Sequence, residues 1–257
     1  MTSLPGVVGV ARSFLTYYAI PFRLARLQRF FRPLLKAGDL AFDLGAHAGN
    51  HVHAWIRLGA HVIALEPHPG FFRWLQRLYG RHPRVTLLPL AVGASPGMAD
   101  LLVSRLNPTV STLSPDWRDE VRKAPSFAGV RWETSVPVEV TNLDALIDRF
   151  GVPAFCKIDV EGLEADVLSG LSMPLPCLSF EYLPPALDRA RQCLERLEGL
   201  ADYAFNWSIG ERHRWAHPEW VDGASVRGFF QSLRPGGRSG DIYARRRGPV
   251  PGAGRPP

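Results

Sequence analysis

Residues 40–50 read LAFDLGAHAGN. An apolar run broken only by Asp43 meets a turn with glycines at 45 and 49, and a helical pattern follows over residues 51–57. A short, nearly continuous apolar run ending in glycines is the pattern of a strand covered on both faces. The same alternation continues outward. Strands are predicted over 60–65 and 85–90, with a helix over 69–79 between them. A further strand at 136–140 leads to a helix over 143–150 with Asn142 as its cap. Residues 155–160 and 177–182 read as strands around a helix at 164–171. Residues 203–209 and 241–244 are candidates to close the sheet in antiparallel fashion. This alternation predicts an α/β fold, a doubly wound and mostly parallel sheet. Residues 94–135, rich in Ser and Pro, read as less regular.

The chain has 257 residues, 46% hydrophobic and 21% charged, enough for one core of the size α/β domains build. No stretch approaches the roughly 18–20 uninterrupted apolar residues of a membrane span. Residues 4–10, interrupted by Pro5 and Gly6 and preceded by no basic residue, do not read as a secretory leader. Cys156, Cys177 and Cys193 form an odd, sparse set, which fits a reducing compartment and a cytoplasmic location. The net charge of +6 is unevenly placed. Residues 1–36 hold six basic residues and no acid, 245–257 hold four arginines and no acid, and 37–244 are left at −4. Positive charge gathered at the ends is not the spread binding face of a nucleic-acid enzyme, so no nucleic-acid partner is expected. The predicted organisation is a basic helical extension over 1–38, a main domain over 39–244, and a disordered Arg/Pro/Gly tail over 245–257. Within the extension, residues 22–36 make an amphipathic helix. Leu24, Leu27, Phe31 and Leu35 lie on one side, and Arg23, Arg26, Arg29 and Arg32 drift around the other. One reading is a cover over a sheet edge or pocket. The other is peripheral contact with an anionic membrane or glycolipid surface.

Ligands of a doubly wound sheet sit beyond the carboxyl ends of its strands. Gly45 and Gly49 permit a tight turn and close backbone approach there. Their G-x-x-x-G spacing is not the G-x-G-x-x-G of pyrophosphate binders, and no Walker lysine follows. Asp43 would repel a pyrophosphate but attract an ammonium group, such as the amino-acid end of S-adenosylmethionine. A structural turn with a solvent-facing Asp43 is the plainer alternative. Glu66 ends the second strand, about 20 residues past the first glycine, where a carboxylate accepts both hydroxyls of a ribose. Its alternative is a loop acid paired with a base such as His68. In KIDVEG, residues 157–162, three charges sit in or beside a buried strand and need partners or a polar cleft. If the strand continues, Lys157, Asp159 and Glu161 share one face. Lys157 reads as a structural partner of the carboxylates, and Asp159 and Glu161 as functional.

Six segments in this order resemble the FkbM-type, S-adenosylmethionine-dependent methyltransferases: DLGAHAGNH at 43–51, ALEPHPGFF at 64–72, LLPLAVGASPG at 87–97, VTNLDALI at 140–147, KIDVEGLEADVLSG at 157–170 and FEYLP at 180–184. The resemblance covers roughly residues 39–184. It implies a class I methyltransferase, Rossmann-like sheet with an antiparallel last strand, and methyl transfer to a hydroxyl of a sugar, glycolipid or natural-product acceptor. It further implies that Asp43, Gly45, Ala46, His47, Gly49 and Asn50 form the loop around the methionine end of the cofactor, with Glu66 and Pro67 at the ribose and Ala91 and Val92 at the adenine. His47 departs from the asparagine common in the family.

The reaction so implied is an in-line displacement at a sulfonium methyl, aided by alignment and by removal of the acceptor's proton. Asp159, Glu161 and Glu181 are the candidates for that task. Their clustering can alternatively hold a divalent cation, but no decisive ligand pattern is present and no metal is assigned. His213 and His217 lie among Trp207, Trp215 and Trp220, a segment that reads either as a cluster capping the sheet or as a sugar-stacking surface. Residues 94–135 and 207–235 are expected to wall the acceptor, with Ser111, Thr112, Asp116 and Trp117 as contacts. Two rival classes remain. A nicotinamide-dependent oxidoreductase should show G-x-G-x-x-G and lack Asp43. A non-catalytic scaffold should lose the charged residues at the strand ends.

Overall fold

The structure is a computed structural model that describes residues 23–234 and 236–248. Helix α1 (Arg23–Phe31) leads into β1 (Leu40–Leu44), α2 (Asn50–Arg57), β2 (His61–Leu65), α3 (Pro69–Tyr79) and β3 (Val85–Leu88). Next come β4 (Leu90–Val92), β5 (Gly97–Val103), α4 (Pro115–Val121), β6 (Thr134–Thr141), α5 (Leu143–Phe150), β7 (Phe155–Ile158) and α6 (Glu164–Ser169). The chain continues through β8 (Cys177–Tyr182), α7 (Leu187–Leu200), β9 (Tyr203–Ile209), α8 (Gly223–Ser232) and β10 (Gly240–Arg246).

Among the described residues, seven strands form the main sheet in the order β3-β2-β1-β7-β8-β10-β9. The first five run parallel, and β10 enters antiparallel to both β8 and β9. Side chains alternate across the strands. Val62 and Ala64 face a core built with Leu27, Phe31, Trp55 and Leu75, whereas Ile63 and Leu65 face one built with Leu146, Leu168, Leu194 and Phe230. Helices α1–α3 therefore cover one face and α5–α8 the other, as the unbroken apolar strands predicted. Strand order reverses between β1 and β7, so a crevice opens beyond their carboxyl ends.

Several expectations need correction. The strand expected over 85–90 is two strands in different sheets. Pro89 separates them, lacking the N–H a continuous ladder needs. The irregular region conceals β5 and α4. Strand β4 pairs parallel with β6, and β5 pairs antiparallel with β6, in a second small sheet. The 155–160 strand stops at Ile158. Strand β10 runs to Arg246, two residues into the expected disordered tail; residues 249–257 lie outside the described residues. So do residues 1–22 of the basic extension. Helix α1 buries Phe30 and Phe31, the latter edge-on to both Trp55 and Phe155. The apolar side that a membrane-lying helix would insert is used in the core, so α1 is a cover over the sheet. No helix among the described residues is long and apolar enough to cross a membrane.

Candidate active site

The β1–α2 turn is shaped by positive backbone angles, φ 83° at Gly45, 44° at His47 and 81° at Gly49. Gly45 is obligatory on two grounds: its φ, and the carbonyl oxygen of Asp159, which a Cβ would strike. The Gly45 and Ala46 amides both donate to the Leu65 carbonyl, at 3.0 and 2.9 Å, locking the turn against the end of β2. Gly49 precedes α2 as its cap, and Asn50 opens that helix.

Around this turn lies a cleft beyond the carboxyl ends of β1, β2 and β7. Gly45, His47, Glu66 and Pro67 line one side, Ala91 and Val92 another, and Asp159 and Glu161 a third. Ala46, Gly49, Asn50 and Asp43 shape this region without lining the cleft. Asp43 sits one layer deeper than expected, fully buried, and neither carboxyl oxygen has a hydrogen-bond partner. Burial pushes it up to about 7, opposed by Lys157, its register partner on β7, and aided by Asp159. The solvent-facing alternative for Asp43 is excluded.

Glu66 is 2% exposed. Its two oxygens accept the backbone N–H groups of His47 at 2.7 Å and His68 at 2.8 Å. Burial still pushes it up to about 8 against those two bonds. The anticipated contact with His68 therefore exists, but through its backbone. The His68 ring instead caps α3, its Nδ1 accepting from Gly70 and Phe71.

Beyond β7 the chain turns sharply, with Glu161 at φ 54°. Strand alternation therefore does not place Glu161, yet carboxylate oxygens of Asp159, Glu161 and Glu181 lie within 4.8 Å of one another. All three are half-buried. Burial pushes Asp159 up, but the contacting Lys157 ammonium, with His47, outweighs it and holds Asp159 below the usual carboxylate range. Glu161 and Glu181 are both raised well above that range, first by burial and then by neighbouring carboxylates. The set thus combines one acid held towards its ionised form with two drawn towards their neutral forms. Oxygen donors this close also have the chemistry to hold a hard divalent cation.

Several contributors escaped sequence reading. Glu164 accepts the amides of Val160 and Gly162, at 3.1 and 3.2 Å, and braces the turn carrying Glu161. Asp241 lies opposite Glu181 across β10 and β8 and is pushed up to about 6 by burial. The small sheet supplies Leu101 to the cleft wall. A Glu two residues after a glycine at a helix start was a readable capping signal; Asp241 and Leu101 depend on topology. Of the expected acceptor contacts, Ser111 lines the cleft and the Thr112 hydroxyl donates to the Glu161 carbonyl at 2.6 Å. Trp117 is buried, packed at Gly162, and Asp116 is exposed. Trp207 stacks on Phe229 at 4.6 Å within the core, and His217 is held through backbone bonds to Asn206.

The sequence model of the methyltransferase FkbM domain matches residues 43–196. The chain belongs to that family. It is similar to the hexuronic acid methyltransferase AglP of Haloferax volcanii, 30% identical over 144 residues that cover 55% of this chain and 54% of that protein. The chain thus spans about half the length of the curated relative it matches. Among solved structures, an O-methyltransferase from Bacillus cereus in complex with SAH is 12% identical with a TM-score of 0.45, over 93% of this chain and 87% of that one. The precorrin-6y C5,15-methyltransferase of Geobacter metallireducens is 12% identical with a TM-score of 0.43, over 87% and 88%.

Proposed function

We propose that this FkbM-family chain is an S-adenosylmethionine-dependent O-methyltransferase acting on a hydroxyl of a sugar or sugar-bearing natural product. The supporting observation is one cleft at the switch point of the sheet, lined by the diol-seeking Glu66 and by Asp159 and Glu161, with the buried carboxyl of Asp43 at the foot of its glycine turn. Asp43, buried and without a protein hydrogen-bond partner, suits the cofactor's ammonium, whose charge favours the ionised carboxylate. Glu66 keeps lone pairs for ribose hydroxyls after accepting two amides. The Ala91–Val92 wall is apolar, as a purine face requires. When bound there, S-adenosylmethionine supplies an electrophilic methyl group. Lys157 keeps Asp159 ionised beside that region. Asp159 in that state can take the acceptor's hydroxyl proton, and the adjacent Glu161 and Glu181 carboxyls can share it. The relative's action on a hexuronic acid supports the sugar class.

Transfer of labelled methyl from S-adenosylmethionine to a panel of sugars and glycosides tests this reading. The expected product carries the label on an oxygen. Asp159→Asn is expected to lower kcat by at least tenfold with little change in cofactor affinity, whereas Asp43→Ala and Glu66→Ala weaken cofactor binding. Dialysis against EDTA is expected to leave turnover unchanged. Wild-type cofactor affinity in both alanine variants would remove the assignment of the cleft, and loss of turnover restored by magnesium would transfer the acids' role to a metal.

A further inference from the structure

A second cleft opens where α1 meets the loop after β9. It is lined by Arg26, Arg29, Arg212 and Arg214, with Trp215 and His213 between them. The four arginines are exposed, and among the described residues none makes an ion pair. Like charges converging from two separate elements repel one another, a cost that an anion from outside removes. His213 reinforces the point. It is buried, its backbone is held at φ 46°, and its Nδ1 has no hydrogen-bond partner, while Nε2 lies 3.4 Å from the Glu211 carboxylate. Trp215 adds an aromatic wall, tilted on Phe30 at 4.2 Å. Guanidinium forks beside an aromatic surface match a sugar bearing a carboxylate or phosphate.

The cleft adjoins the candidate active site. The loop begins where β9 ends, with Ile209 paired to Gly240 next to Asp241. The His213 ring meets that of His51, 6.3 Å away at the start of α2, and Glu211 acts electrostatically on His47, Asp159 and Asp241. An acceptor's acid group would be repelled by the carboxylates of the active site, so an arginine cluster at its flank both attracts and orients it.

We propose that this arginine cleft anchors an anionic group, carboxylate or phosphate, carried by the methyl acceptor, so that the substrate class is an acidic or phosphorylated sugar rather than a neutral one. The assignment rests on the methyltransferase reading above. Calorimetric titration of the full chain at low ionic strength with glucuronate, glucose 6-phosphate, inorganic phosphate and glucose tests it, with S-adenosylhomocysteine titrated in the same samples. Glucuronate or glucose 6-phosphate is expected to bind at least tenfold more tightly than glucose, and the tighter of the two identifies the source of the charge. That advantage should be lost in Arg26→Ala/Arg212→Ala and reduced in 0.5 M NaCl. Arg29→Ala/Arg214→Ala serves as an independent pair should the first fail to fold. Equal binding of glucose and the anionic sugars, or undiminished anion binding in a folded variant, overturns the proposal. Inorganic phosphate binding as tightly as glucose 6-phosphate overturns the acceptor assignment in favour of a free-anion site. Loss of S-adenosylhomocysteine binding alone would sink the methyltransferase reading while leaving the anion site in place.

Discussion

Glu161 carries a backbone conformation that an L-residue with a long side chain rarely adopts, φ 54°, and a carboxyl whose proton affinity burial and its neighbours raise. Both features destabilise, which is the signature of a residue kept for its chemistry. Glu161→Gly should relieve about 1 kcal/mol of backbone strain, so the melting temperature is expected to hold or rise while methyl transfer falls by about a hundredfold. A variant that melts earlier and keeps its turnover would make Glu161 structural. Gly45 behaves in the opposite sense. Gly45→Ala places a methyl against the Asp159 carbonyl at φ 83° and should cost about 1–3 kcal/mol, read by denaturant unfolding together with loss of cofactor binding.

Helix α1 divides its labour between its faces. Phe31, wholly buried among Trp55, Phe155 and Tyr243, ties the helix to the sheet. Phe31→Ala is expected to destabilise by about 3–5 kcal/mol. Arg32→Ala, at an exposed position one residue past the helix, should stay within about 0.5 kcal/mol. Equal effects in urea melts would show that α1 does not belong to the cooperative unit. The small sheet has a comparable role at the opposite wall. The neighbouring Thr112 ties the small-sheet region to the turn of Glu161, and Arg189 of α7 donates to the Gly162 carbonyl at 2.6 Å. Elements that share no face of the main sheet thus converge on the turn that carries Glu161.

Across the whole molecule, acidic groups outnumber their partners around Lys157. Burial raises Asp43 to about 7, Glu66 to about 8, and Glu164 and Asp241 to about 6. A fold that raises an acid's pKa favours its neutral form. That contribution is complete below the unfolded value near 4 and is lost as pH rises through about 6 to 8. His47 and His68 are lowered by burial and act in the reverse sense, on the acid side of their ordinary value of 6.5. The ligand-free protein should therefore melt at a lower temperature at about pH 8.5 than at pH 7, with a shallower decline in Asp43→Asn. S-adenosylhomocysteine, whose ammonium favours ionised Asp43, should stabilise more at the higher pH; a flat melting profile would count against the buried acids. The doubly wound sheet, the Asn142 cap, the glycine turn and the cleft positions of Glu66 and Asp159 were legible in the chain, because apolar period, turn chemistry and strand-end charges are local properties. Strand β5 inside residues 94–135, and the small sheet it completes, were not, since β4, β5 and β6 pair with one another across long separations. The depth of Asp43, the meeting of Glu181 with Glu161, and the convergence of Arg26 with Arg212 likewise depended on the tertiary structure. Burial and electrostatic proximity are properties of assembled elements, and no single stretch of chain contains them.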